Sequence, residues 1–343
     1  MSKADRFAIF LSLLAVAAGY LVHVNVFDGL AHLEDEMAYV WQSQAIARGN
    51  VKLPEPPGER SFLVPFVVDH NGERFGKYPL GWPLVLALGE ILKVRYLVNP
   101  LLGGLGIWLT YLLGKRLFSS TVGLLAAGLT LVSPFFLLNT GSLLSHPLGF
   151  VLSAGFVLFW LSAFGPGEGR PGWKPAAAAA LCLGLLGMTR PLTALAVGLP
   201  FSLHGLYLFI RDDRTIRRNL LLVAGILCAF ILLHFAWQFY LTGDPFLNPY
   251  TLWWEYDRIG FGPGRGRRPE GHTLRQAWIN TRHSLRVGGH DLFGWLGYSW
   301  IFIPFGLIAA LKAKNKPALL AASVLPCLVL VYFAYWIGSS LFG

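Results

Sequence analysis

Residues 220–241 read LLLVAGILCAFILLHFAWQFYL, an apolar run without a single charge. About 20 such residues suffice for a helix to cross the hydrocarbon core of a bilayer. Arg211, Arg214, Arg217 and Arg218 stand just before it, and a long polar stretch follows. A basic flank of this kind marks the cytoplasmic end of a span. The stretch therefore sets both the class of the chain and its orientation.

Similar runs lie at residues 7–27, 97–113, 121–138, 148–164, 175–188, 192–210, 295–311 and 318–337. Together they predict an all-α polytopic membrane protein of about nine transmembrane helices, forming one domain over residues 1–343. Lys3 and Arg6 precede the first run. Ala15-Val16-Ala17 inside it could serve as a signal-peptidase site, and either reading puts the following residues on the outer face. Lys115 and Arg116, then Arg170 and Lys174, then the arginines of 211–218, then Lys312, Lys314 and Lys316 fall in alternate loops. All become cytoplasmic if the N-terminus is. Between residues 78 and 114, two apolar stretches (79–92 and 97–113) are separated by Lys93 and Arg95. Two full spans there would invert every later loop. The expectation is one full span, 97–113, preceded by a short interfacial or re-entrant element.

Composition agrees. Of 343 residues, 55% are hydrophobic and 13% charged, against about 25% charged in soluble domains; the mean hydropathy is +0.54. Soluble multidomain and disordered readings are excluded. The net charge of +10 does not signal nucleic-acid binding, because the cations are divided among short loops between apolar runs. Cys182, Cys228 and Cys327 each sit inside an apolar run and read as free thiols.

Two long loops, 28–78 and 242–294, are expected to face outward and hold eight and five of the 18 acidic residues. Functional side chains concentrate on long loops carried by a rigid scaffold. In the first, Glu34-Asp35-Glu36 opens a segment with Met37, Val40, Trp41 and Ala45 at helical spacing, ending at Arg48-Gly49. This reads as an amphipathic helix at the membrane surface. Its three carboxylates either complement the helix dipole or include a general base for a hydroxyl. Extended runs 62–69 and 73–78 flank His70-Asn71-Gly72, a hairpin signal. The chain then re-enters the membrane through Lys77-Tyr78-Pro79-Leu80-Gly81-Trp82-Pro83. Lys77 is placed either to meet a lipid phosphate or simply to snorkel.

Arg190 in Met188-Thr189-Arg190-Pro191 runs against the positive-inside pattern, which makes it a functional candidate. The second long loop carries Arg258, Arg265, Arg267, Arg268, Arg275, Arg282 and Arg286, with His272, His283 and His290, amid glycines that let a backbone approach an anion. No Walker pattern and no zinc-ligand spacing occurs. His146, between residues 139 and 147, faces the same side.

The order Asp35-Glu36, then Lys77-Tyr78-Pro79-Leu80-Gly81-Trp82-Pro83, resembles the GT-C glycosyltransferase superfamily. It is most similar to bacterial dolichyl-phosphate-mannose protein mannosyltransferase-like proteins (family 39), including the aminoarabinose transferases. Gly260-Phe261-Gly262, Gly271-His272-Thr273 and Leu292-Phe293-Gly294-Trp295 extend the similarity over most of the chain. The resemblance implies a sugar donor on polyprenyl phosphate, an inverting transfer to an acceptor protein, lipid or glycan hydroxyl, and an active site on the outer face of a bacterial inner membrane. It implies catalytic roles for Asp35 and Glu36, and donor-phosphate binding by Lys77, Arg190, Arg258 and His272. Glu34, Tyr78 and His146 are candidate donor or acceptor contacts. His146 stands where many relatives place a carboxylate, and no residue pattern supports a divalent metal. Relatives continue past a segment like Tyr335-Trp336-Ile337-Gly338 into further spans, so this chain, ending at Gly343, is expected to lack their C-terminal part. A lipid transporter, or a non-catalytic relative that binds polyprenyl phosphate, is the rival reading.

Overall fold

Ser2 caps the first helix, α1 (Lys3–Asn25): its hydroxyl accepts the Asp5 N–H, and the Asp5 carboxylate accepts the Ser2 N–H in return. From there the computed structural model describes residues 1–165 and 172–337. The cytoplasmic candidate Arg170, and Gly338 of the Tyr-Trp-x-Gly segment, lie outside the described residues.

The first long loop contains α2 (Glu34–Ala47) and three short strands, β1 (Leu53–Pro54), β2 (Val67–His70) and β3 (Glu73–Gly76), in the antiparallel order β1-β3-β2. Asn71 and Gly72 join β2 to β3, both at positive φ (53° and 78°), as a tight hairpin turn requires. Arg74 of β3 clamps Asp69 of β2 through two 2.5 Å hydrogen bonds.

Helices follow at α3 (Gly81–Ile91), α4 (Arg95–Leu117), α5 (Ser120–Leu131), α6 (Pro134–Gly141), α7 (His146–Phe164), α8 (Trp173–Gly187), α9 (Pro191–Arg211) and α10 (Arg214–Thr242). The second long loop holds α11 (Pro249–Trp253) and α12 (Leu274–Phe293). The chain closes with α13 (Phe302–Lys312), α14 (Lys316–Ala322) and α15 (Val324–Phe333).

Among the described residues six helical segments are long and apolar enough to cross a membrane: Lys3–Asn25, Arg95–Leu117, His146–Phe164, Pro191–Arg211, Arg214–Thr242 and Lys316–Phe333. Counting two bent pairs as spans gives eight, not the nine expected. Three runs account for the difference between six and nine. The run at 121–138 is broken into α5 and α6 with a 64° bend. Pro134 has no N–H to continue the ladder, and the Ser133 hydroxyl instead accepts the Phe136 N–H to start a new helix. The run at 295–311 continues α12 through an 86° bend. The run at 175–188 forms only a 15-residue helix, about 22 Å long against a core of about 30 Å. Residues 79–96 hold the short α3 ahead of a single long α4.

The helices pack through small residues: a side chain on Gly114 of α4 would come within 2.6 Å of the Gly123 backbone in α5. α7, between α4 and α8, is the most enclosed span. Its core runs without a break into the first long loop, so that Tyr39, Phe66, Tyr78 and Trp82 pack in one cluster with Leu143, Phe156, Trp160 and Phe201. That loop is therefore as firmly seated as the bundle.

Candidate functional site around Asp35, Lys77 and Arg190

Glu36 is almost fully buried, a costly place for a carboxylate unless donors surround it. Three backbone N–H groups do: those of His32 (2.7 Å), Leu33 (3.0 Å) and Leu143 (2.6 Å). Burying Glu36 also turns α2, bringing Tyr39 and Ser43 inward, three and seven residues on. Met37 is exposed, as a residue on the membrane side of such a helix can be.

The Leu143 contact fixes the turn between α6 and α7. Its carbonyl accepts the Trp82 indole N–H (3.0 Å), and the Asn99 amide donates to the carbonyls of Ser142 (2.7 Å) and Leu144 (2.9 Å). The clamped turn presents the Ser145 hydroxyl, 3.0 Å from the donating Arg190 guanidinium and 3.5 Å from the Tyr39 hydroxyl. Arg190, half-buried at the head of α9, also packs its stem over Gly149.

The hairpin delivers Lys77 and Tyr78 to the same place. The Lys77 N–H bonds the Phe66 carbonyl (3.0 Å), and the Gly81 N–H bonds the Met188 carbonyl (2.8 Å), tying this segment to the loop that carries Arg190. Any side chain at Gly81 would strike Met188 and Thr189. Tyr78, buried, donates its hydroxyl to Asp35 Oδ1 and stacks near Tyr39, with ring centroids 4.4 Å apart.

Lys77 is only 4% exposed, and no carboxylate ion-pairs with it among the described residues. Its ammonium lies over Phe66 (3.7 Å), Trp254 (4.8 Å), Tyr250 (4.9 Å) and Tyr78 (5.4 Å). Aromatic faces attract a cation but replace only part of its hydration. Burial pushes the Lys77 pKa down to about 8, partly opposed by the negative charges of Asp257, Asp35 and Glu34. Phe66, which floors the cage, sits at φ +61°, a conformation bulky residues rarely adopt. Burial and the Asp35 charge push the Tyr39 hydroxyl up to about 12, so it stays a neutral hydrogen-bonding group.

The two long loops thus meet over one patch, where Asp35, Lys77 and Arg190 converge. Glu34 is exposed at its rim, and His146 opens α7 beside Arg190, with its Nδ1 buried and unpartnered. Two further candidates lie in the second long loop. Arg258 is exposed. His272 is buried, stacked on Phe261 (5.3 Å) and bonded through Nε2 to the Phe333 carbonyl (3.1 Å). It ties the glycine-rich turn to the end of α15. Among the described residues no group of three or more His, Cys, Asp or Glu side chains is placed to hold a metal ion.

Sequence reasoning missed the cage residues Phe66, Tyr250 and Trp254, the bridging Ser145, and Asp257. Asp257 is buried and accepts the Tyr335 hydroxyl (2.7 Å) and the Trp336 indole N–H (3.0 Å). The one available signal was the aromatic-acidic run Trp253-Trp254-Glu255-Tyr256-Asp257.

This bundle, with its two long loops closing over a cation-rich patch, is a multi-pass membrane protein with an ArnT-like fold. The family described as dolichyl-phosphate-mannose-protein mannosyltransferase matches residues 83–237. The chain is similar to ArnT from Cupriavidus metallidurans bound to undecaprenyl phosphate, with a TM-score of 0.62 at 17% identity, covering 95% of this chain and 55% of that one. It is also similar to the same protein in the apo state, with a TM-score of 0.53 at 16% identity, covering 100% and 61% respectively. The chain therefore spans little more than half the length of these relatives, and at such identity the likeness establishes the fold. No curated protein matches it.

Proposed function

We propose that this protein is a glycosyltransferase that moves a sugar from a polyprenyl-phosphate donor to an acceptor hydroxyl, with inversion, on the membrane face that carries both long loops. A bacterial inner membrane suits this reading. The observation that carries it is Lys77: a buried ammonium without an ion-pair partner among the described residues, in the same patch as a carboxylate. A structural lysine would find a carboxylate or reach water. The ArnT neighbour's bound undecaprenyl phosphate supports a lipid phosphate as that anion.

In the proposed reaction Asp35 removes the acceptor hydroxyl proton as that oxygen attacks the anomeric carbon. The bond from the anomeric carbon to the phosphate oxygen breaks, and polyprenyl phosphate leaves as an anion. Lys77 and Arg190 stabilise the charge that develops there, so no general acid is needed. Tyr78 occupies one Asp35 oxygen and orients the other toward the acceptor. Glu36, with both oxygens engaged by backbone donors, is a positioning residue that holds α2 and the Ser145 turn in place. Glu34 at the rim and His146 beside Arg190 are the further residues proposed to contact donor or acceptor groups.

The test is Asp35→Asn, assayed for transfer from a short-chain polyprenyl-phosphate sugar. The expected fall in rate is roughly 10²–10⁴-fold, with thermal stability unchanged. Wild-type transfer by this variant removes the base assignment.

A further inference from the structure

The 86° bend between α12 and the segment Leu296–Lys312 is built into the fold. Gly294 ends α12 in the left-handed region (φ +71°), its N–H on the His290 carbonyl. The Trp300 indole lies against Gly288 and Gly289 and donates to the Leu285 carbonyl (2.9 Å). Where the apolar Leu296–Lys312 is the arm inserted in the bilayer, this right-angle bend lays α12 along the membrane plane.

The surface of α12 fits that position. Arg275, Arg282 and Arg286, seven and then four residues apart, form one exposed stripe. Leu274, Trp278 and Leu285, four and then seven apart, form an exposed apolar row beside it, and Ile279 lies among the arginines. The acidic residue of this helix, Asp291, comes five residues after Arg286 and falls well around the helix from the stripe. Ala277 and Asn280 face the protein instead, and Gly289, near the end of the helix, is covered by Trp300. A cationic stripe bordering apolar side chains, with a tryptophan at the boundary, matches the interface of an anionic lipid surface.

We infer that α12 is an in-plane anchor that binds anionic phospholipid headgroups through Arg275, Arg282 and Arg286, with Leu274, Trp278 and Leu285 set into the acyl boundary. This surface is distinct from the patch around Lys77 and holds whether or not the chain transfers sugars.

Native mass spectrometry of the full chain, exchanged into equimolar phosphatidylglycerol and phosphatidylcholine, reads the effect. Wild type should retain phosphatidylglycerol preferentially. Arg275→Gln/Arg282→Gln/Arg286→Gln should reduce that retention on the order of ten-fold or more, while the matching triple Arg→Lys variant keeps it. Lys312→Gln/Lys314→Gln, at the other end of the bent segment, should also keep it. Dibrominated phosphatidylglycerol should quench the part of the fluorescence that Trp278→Phe removes. Equal retention of both lipids by wild type, undiminished retention by the triple Gln variant, or a Trp278 signal unaffected by brominated lipid overturns the inference.

Discussion

The two long loops are built on opposite plans. The first, 28–78, buries its charges one at a time: Glu36 among backbone donors, Arg74 on Asp69, Lys77 in an aromatic cage. The second, 242–294, carries seven arginines but leaves most of them exposed, and contributes to the patch chiefly through the rings of Tyr250 and Trp254. A charge held out of water costs free energy in the resting fold, so it persists where something uses it. An exposed arginine costs little and acts mainly through the summed field of its neighbours. Counting cations would point to the second loop; weighing their burial points to the first.

The adjacent carboxylates sharpen this contrast most. Glu36→Gln places an amide N–H₂ against backbone donors and should cost roughly 1–3 kcal/mol of stability, read as a lower thermal midpoint. Any loss of activity should follow the loss of fold. Asp35→Asn should do the reverse, sparing the fold and removing the chemistry. A stable, inactive Glu36→Gln would exchange their roles.

Next in size is the pH dependence of Lys77. Its pKa of about 8 lies below the ordinary 10.5, so the ammonium is lost as the pH passes about 8. Affinity for polyprenyl phosphate, measured by calorimetry in detergent, should weaken above that pH. The unliganded protein should gain stability over the same interval, since the folded state binds fewer protons there than the unfolded one. Lys77→Arg, which stays charged, should flatten the binding profile. The smallest effect is expected at Arg258→Gln: an exposed side chain should change stability by less than about 0.5 kcal/mol and transfer within about two-fold.

Most of the spans were legible because hydropathy reports the length of an apolar helix directly. Bends were not: α12 and Leu296–Lys312 turn through 86° because of Gly294 and Trp300, whose local geometry a hydropathy profile does not register. Asp35, Lys77 and Arg190 stood out as charges in an apolar chain, and the structure gathers them. Tyr250 and Trp254 were hidden because aromatics are ordinary in such a sequence, and their value arises only when another loop brings Lys77 beneath them. His272 looked equally eligible, and its burial against Phe261 leaves no mark in one dimension.

Lys77 carries the greatest weight, and ligand-induced stabilisation tests it directly. A short-chain polyprenyl phosphate added to the purified chain should raise the thermal midpoint of wild type and of Asp35→Asn. Lys77→Met should melt higher than wild type without ligand, because a buried charge has been replaced by an apolar chain, and should gain little when the lipid is added. A Lys77→Met protein stabilised by the lipid as strongly as wild type would contradict the placement of the phosphate in the aromatic cage.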